Sequence, residues 1–564
     1  MTRRTWWLLA VSIAALALAA SANSVVNGFT YDDTSLIERS PRMHTMVGWW
    51  REFARTYWTP GSGGDGYRPL TIIAFRSEWA LGGGSPLPFH VANVALHVVG
   101  AVAVFWLACA VLPVGAAWIG AALYAVHPVH VEAIANVVGQ SELAVALFLS
   151  LATGLYLYGR RTGPIGWLRW VGITLLYAVA CQFKEHAIVL PALLLLAEVT
   201  VVQDKAPLRQ RLVGMRPAYL ALAAVGLSYL WARSVVVADG MSGFRPFVVF
   251  QALQLSTPHR VLTMVGVAPE WVRLLLWPAR LMTEYTPRYI DVAQGISVTQ
   301  LPGLLVLTGT LSLGAACWRR SPATAFGIGW LTLTLLPASN ILIPAGFIIA
   351  ERTLFAPSIG AMIAVASVVP VFYARIEVSA FSRRVAAAGV FALLALGLGR
   401  SVIRNRDWHD DETLLRKGVK DSPDSYRAHV ILGSYLFLQK RLVEGEQHYR
   451  EAVRLFPYEP LAMFEMAEQY RRADLCGPAI SFFRAAFAMA PDAGRGHVGF
   501  AYCLLLTFHL SDARQVALEG LRVGANVRDA RAIILAAKQA GDSLEARRAR
   551  GVNTVQIPPR LLTP

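Results

Sequence analysis

Gly28-Phe29-Thr30-Tyr31-Asp32-Asp33 sets two adjacent carboxylates a few residues beyond an apolar run, 6–20, which itself follows the basic start Arg3-Arg4. A basic start and an apolar run describe either a first membrane span or a signal peptide, and Ala20-Ser21-Ala22 resembles a small-residue cleavage site. Many further apolar runs follow, which favours an uncleaved span. In both cases the acidic pair lies outside the cytoplasm, at a membrane edge. An acidic pair there needs a reason, and on the residues alone a solvated helix cap accounts for it as well as a catalytic role does. This placement decides the fold: an all-α chain, with a polytopic helical membrane domain followed by a soluble helical tail.

The composition agrees. Of 564 residues, 55% are hydrophobic and 16% charged, and the mean hydropathy is +0.46. That is too apolar for a soluble globular chain and fits many spans with a polar appendage. The net charge of +16 would suggest nucleic acid in a soluble protein. Here the basic residues cluster in short loops, at Arg160-Arg161, Lys205 to Arg216, Arg319-Arg320 and Arg383-Arg384. The positive-inside rule accounts for them, and no nucleic-acid partner is expected. The five cysteines are scattered and form no zinc spacing. Cys476 and Cys503 allow a bridge in an oxidising compartment, but buried free thiols are the plainer expectation.

Outward from the acidic pair, residues 23–88 read as a first outer loop, with Trp49, Trp50, Tyr57, Trp58 and Trp79 suited to lying along the interface. A span over 90–112 returns to the cytoplasm. The next run, 116–126, covers only about half a bilayer. It ends in His127-Pro128-Val129-His130-Val131-Glu132, which predicts a broken helix beside a polar cavity. Runs over 137–158, 167–183, 187–202, 217–237, 304–318, 323–336, 357–373 and 385–398 continue the pattern. The run 261–281 is interrupted by Pro269-Glu270 and is read from parity as a re-entrant or interfacial hairpin. The count comes to about eleven crossings with the tail outside, on the alternation of basic loops.

The tail repeats. Pro423, Pro457 and Pro491 stand 34 residues apart, with Leu432-Gly433, Gly445, Tyr449 and Ala452 in one unit and Ala467, Tyr470, Ala479, Phe483 and Ala486 in the next. This is the tetratricopeptide (TPR) period and its small/large pattern. The expected boundaries are a membrane domain over 1–402, a connecting helix or half repeat over 403–424, a TPR solenoid over 425–550 and a disordered end over 551–564.

Several motifs, in order along nearly the whole chain, resemble the transmembrane-and-TPR protein O-mannosyltransferases, the cadherin-directed group and its bacterial relatives. They are Tyr31-Asp32-Asp33, Tyr67-Arg68-Pro69-Leu70-Thr71, Phe89-His90-Val91-Ala92-Asn93, the His127 to Ala133 run, Lys184-Glu185, Glu351-Arg352 with Pro357-Ser358, and Arg404-Asn405-Arg406-Asp407-Trp408. The resemblance implies a GT-C-like fold and a polyprenyl-phosphate sugar donor. One departure is Gln140, where the family pattern leads to an arginine; a phosphate role there is in doubt.

Inverting transfer from such a donor needs a base for the acceptor hydroxyl and cations for the leaving phosphate. Asp32 or Asp33 is the candidate base, and the other carboxylate positions the acceptor or raises its partner's pKa by like-charge repulsion. Arg68, Lys184 and Arg352 are the candidate phosphate clamp. His90, His127, His130, Glu132, Glu185 and Glu351 complete the expected pocket. His127, His130 and Glu132 also have spacing that could take a divalent metal, though an interfacial helix end with satisfied polar groups is the simpler account. Lys184-Glu185 and Glu351-Arg352 could equally be local ion pairs. The expected activity is transfer of a hexose, mannose by the resemblance, from a polyprenyl phosphate to Ser/Thr hydroxyls of exported proteins presented through the TPR tail. The expected place is a bacterial inner membrane, with the site on the periplasmic face. Two alternatives stay open: glycosylation of a lipid or glycan, and a non-catalytic TPR scaffold for envelope proteins.

Overall fold

The structure, a computed structural model, describes residues 2–58, 66–238, 256–285, 290–344, 347–370, 380–457, 460–491, 496–523 and 526–548. Every regular element among them is helical. The chain divides into a membrane unit that ends at Asp421 and a second unit from Ser422. The expected end segment, 551–564, lies outside the described residues.

Among the described residues of the membrane unit seven helices are long and apolar enough to cross a bilayer: Arg3–Val26, Leu87–Val111, Val137–Arg160, Arg216–Val237, Val298–Arg320, Glu351–Pro370 and Phe381–Arg406. An eighth arises if Val114–Ala125 and Pro128–Ala135, bent by 46° at their junction, form one broken span. The chain is thus an integral membrane protein. The break falls at His127-Pro128, as the short apolar run and the proline require. The other runs read as crossings carry shorter helices, Trp167–Phe183, Leu190–Thr200 and Pro322–Leu335. The hairpin expected over 261–281 is instead one helix, Thr257–Leu276, which continues through Pro269. A proline removes one helical hydrogen bond, and the buried Val267, Ala268, Trp271, Leu274 and Leu275 around it hold the helix together across that gap.

Val137–Arg160 and Glu351–Pro370 are mostly buried, whereas Val298–Arg320 and Phe381–Arg406 are mostly exposed within the chain. The exposed pair suits lipid, which solvates apolar side chains as readily as a neighbouring helix does. Inside, backbones meet through small residues. A Cβ at Gly360 would stand 2.4 Å from the carbonyl oxygen of Gly327, and one at Gly327 would stand 2.6 Å from that of Gly360. Only glycine fits at either position.

The second unit pairs its helices as the repeat predicts: Tyr426–Leu438 with Leu442–Leu455, Leu461–Arg472 with Cys476–Met489, and His497–Leu506 with Leu510–Arg522, followed by Val527–Arg548. Lys440, Asp474 and Phe508, 34 residues apart, are left-handed (φ 60°, 60° and 62°) and close the first helix of each pair. Ala452, Ala467, Ala479, Phe483 and Ala486 are buried, and a tetratricopeptide stack needs them so. Cys476 and Cys503 form a disulfide, with Cα atoms 4.9 Å apart. This corrects the expectation of free thiols: the stacking of successive repeats brings the two residues within bridging reach.

Candidate active site

The acidic pair sits in a strained turn. Tyr31 is left-handed (φ 57°), a costly conformation for a bulky side chain. Asp32 and Asp33 follow, leading into a turn of π-helix, Thr34–Glu38. The two carboxylates have different surroundings. Asp33 is buried. Its Oδ1 accepts from Val138 N–H (2.9 Å), and its Oδ2 from Val137 N–H (3.0 Å) and Thr30 N–H (3.4 Å). It therefore caps the N-terminal end of the Val137–Arg160 span. Burial pushes Asp33 up to about 8, against these three donors and with help from the neighbouring charge of Asp32. Asp32 is half-buried and close enough to the Arg352 guanidinium to act on it electrostatically.

The three candidate cations come from separate elements and act on one another. Arg68, just ahead of the helix Pro69–Gly82, grips Glu185 with two hydrogen bonds of 2.9 Å and lies 4.6 Å over the Tyr57 ring. Burial alone would raise Glu185, but Arg68 holds its carboxyl well below the usual range. Lys184 pairs with Glu142, whose other oxygen is 3.4 Å from His186 Nε2. Burial pushes Lys184 down, with Glu142 opposing. Arg352 pairs through its guanidinium with Glu132, which also accepts the Arg352 backbone N–H at 2.8 Å.

The three histidines expected in the pocket are held by other partners. His90 bonds the Gly28 carbonyl (3.2 Å), at the base of the acidic turn. His127 Nε2 bonds the Leu275 carbonyl (2.9 Å), and its Nδ1 accepts from Val129 N–H. His130 bonds Ser358 Oγ at 2.8 Å. Glu351 faces away from Arg352: it accepts from Met282 N–H (2.5 Å) and Tyr285 OH (2.7 Å) and lies 4.0 Å from Arg404. With His127 and His130 engaged in this way and Glu132 held by Arg352, the three do not converge as metal ligands. Among the described residues no three His, Cys, Asp or Glu side chains gather as a metal site.

Comparison with known proteins finds relatives over most of this chain. A tetratricopeptide-repeat family profile matches residues 396–460. The mouse protein O-mannosyl-transferase TMTC3 is 27% identical over 508 residues, covering 85% of this chain and 54% of the mouse protein. The chain is a homologue of the protein O-mannosyl-transferases. Human TMTC4 is 24% identical, covering 75% of this chain and 63% of the relative, and Drosophila Tmtc1 is 28% identical, covering 77% and 60%. The chain thus spans little more than half the length of these curated relatives. A solved oligosaccharyltransferase from Archaeoglobus fulgidus covers 71% of this chain and 56% of its own, at 13% identity and a TM-score of 0.40, a likeness too distant to carry weight.

Seen as an O-mannosyl-transferase homologue, the chain shows what takes the place of the expected arginine. Gln140 Nε2 donates to Glu78 Oε1 at 2.7 Å. Burial pushes Glu78 up to about 8, since an amide neutralises no charge. Sequence reasoning passed over Glu78, Glu142, His186 and Asp411 as site residues. Glu142 did carry a signal: a lone carboxylate early in an apolar span calls for a cation, and Lys184 is that cation.

Proposed function

We propose that the membrane unit is a glycosyltransferase moving a hexose, mannose on the names of its homologues, from a polyprenyl-phosphate donor to Ser/Thr hydroxyls of protein acceptors. Asp32 is the general base. The observation that carries this is the contrast within the pair: Asp33 has both oxygens committed to backbone N–H groups, while Asp32 is half-exposed beside Arg352. Asp32 takes the proton of the acceptor hydroxyl as its oxygen attacks the anomeric carbon and the bond to the phosphate breaks. The departing phosphate needs no proton. Its growing charge is met by Arg68, Lys184 and Arg352, which their carboxylate partners hold aligned in advance. Asp33 supports the turn through the backbone of Val137, Val138 and Thr30.

The face of the site is outer: periplasmic if the membrane is the bacterial inner one, as the alternation of basic loops suggests. The TPR repeats, 425–550, present the acceptor, since stacked helix pairs build concave surfaces suited to extended peptide. The test uses the full chain in lipid nanodiscs with polyprenyl-phosphate mannose and Ser/Thr-containing acceptor proteins, read by mass spectrometry. Mannosylated acceptor is expected. Asp32→Asn should lower turnover about 10²–10⁴-fold with donor binding retained. Wild-type turnover in Asp32→Asn would remove Asp32 as base. Donor binding without transfer to any hydroxyl would favour the scaffold alternative.

A further inference from the structure

The strained turn at Tyr31 is held by a residue far along the chain. Asp411, at the start of the helix Asp411–Asp421, accepts the Tyr31 backbone N–H on Oδ1 at 2.7 Å and the Thr34 hydroxyl on Oδ2 at 3.1 Å. One carboxylate therefore grips both flanks of the Asp32-Asp33 pair. Its own helix is capped by a different residue: Asp410 Oδ1 accepts from Thr413 N–H at 2.8 Å. The same stretch supports the turn twice more. Gly28 N–H donates to the His409 carbonyl (2.8 Å), and Asn27 Nδ2 to that of Asn405 (3.2 Å). Tyr31 itself donates its hydroxyl to Glu284 and packs against the buried Trp408 and Leu414.

A left-handed tyrosine persists only where its surroundings over-determine it, and such outliers gather at functional sites. The peptide following Tyr31 carries Asp32, so the backbone angles at Tyr31 set the direction of the Asp32 side chain. We propose that Asp411 is a positioning residue: by binding the Tyr31 N–H and the Thr34 hydroxyl it holds the turn in the conformation that aims Asp32 at the acceptor. This rests on the reading of Asp32 as the base. Asp411 touches no reacting atom; it acts through Asp32.

The test is a double-mutant cycle on turnover in full-length protein in nanodiscs, using Asp32→Asn, Asp411→Asn and the pair. Asp411→Asn should lower kcat by about 10- to 100-fold, the order expected when a reacting group is misplaced by about 1 Å. The donor KM should stay within about twofold, because the phosphate clamp is untouched. In the pair the two effects should not multiply: with the base already gone, loss of its alignment costs nothing further. Multiplying effects would overturn the positioning role and leave the base intact. Normal turnover in Asp32→Asn would overturn the base instead, so the two failures are distinguishable. If Asp411→Asn does not fold, Thr34→Val removes one of the two grips and enters the same cycle. A smaller kcat loss that vanishes in the Asp32→Asn background supports the proposal, and a loss that persists there refutes it.

Discussion

Replacing Asp33 should cost stability, where replacing its neighbour Asp32 should cost turnover. In Asp33→Asn the amide keeps the shape of the carboxyl but only one acceptor oxygen. Its best orientation puts that oxygen where Oδ2 now meets Val137 N–H (3.0 Å) and Thr30 N–H (3.4 Å). The NH2 group then faces Val138 N–H across 2.9 Å, donor against donor. One hydrogen bond is lost and one buried N–H is left unpaired, a cost of about 1–3 kcal/mol. Asp33→Ala strands all three donors and costs more. The loss should lower the unfolding midpoint by a few °C. It should also speed hydrogen exchange in a peptide spanning 134–142, because Val137 and Val138 amides lose their acceptor while the far end of the span keeps its protection. Both readouts are accessible in detergent at fixed lipid content, by thermal unfolding and exchange mass spectrometry. Asp32→Asn should leave both unchanged. Wild-type exchange at Val137 and Val138 in Asp33→Ala would refute the capping role, and with it the division of labour between the two carboxylates.

Other expectations follow from single contacts. Glu78 is raised from 4.5 to about 8 in the fold, so the fold binds its proton more tightly than the unfolded chain does. Its contribution is then complete below about pH 4.5 and lost as pH rises through about 8; Glu78→Gln should flatten that alkaline loss in an unfolding midpoint measured from pH 5 to 9. The Cys476–Cys503 bridge closes a separation of 27 residues, which constrains the unfolded tail by roughly 3.5 kcal/mol in the chain-entropy estimate; Cys476→Ser should expose the repeats to limited proteolysis at lower temperature while donor binding persists. Arg68→Lys keeps the charge but loses the two-point grip on Glu185, so donor KM should rise severalfold, and an unchanged KM would remove Arg68 from the clamp.

Much of the architecture was legible because it rests on periodicity and length. The apolar runs became helices, seven or eight of them among the described residues long enough to cross a bilayer against about eleven expected, and the half-length run ending at His127-Pro128 and the 34-residue repeat became the elements that they predict. The segment 257–276 was misread because Pro269-Glu270 looks like a break, and only the packing of residues such as Trp271 and Leu274 makes one helix of it. The disulfide was misread as two free thiols because two cysteines in successive repeats are also compatible with separate burial; their approach is set by how the repeats stack.

The pairings of the candidate site residues were not legible in the sequence, for a geometric reason. Lys184-Glu185 and Glu351-Arg352 look like local ion pairs, but adjacent residues in a helical turn project in different directions and do not face each other. Each of the four found its partner across the bundle: Lys184 at Glu142, Glu185 at Arg68, Arg352 at Glu132, and Glu351 at Arg404. The adjacent charges thereby tie different helices together instead of cancelling each other. For the same reason Asp32 and Asp33, side by side in sequence, diverge. Asp33 turns inward to the backbone of Val137 and Val138, and Asp32 is left on the open side beside Arg352. On the proposed reading, a paired motif at a membrane edge supplies one group that holds the fold and one that serves the reaction, and which is which depends on the direction of the turn, held at Tyr31 by Asp411.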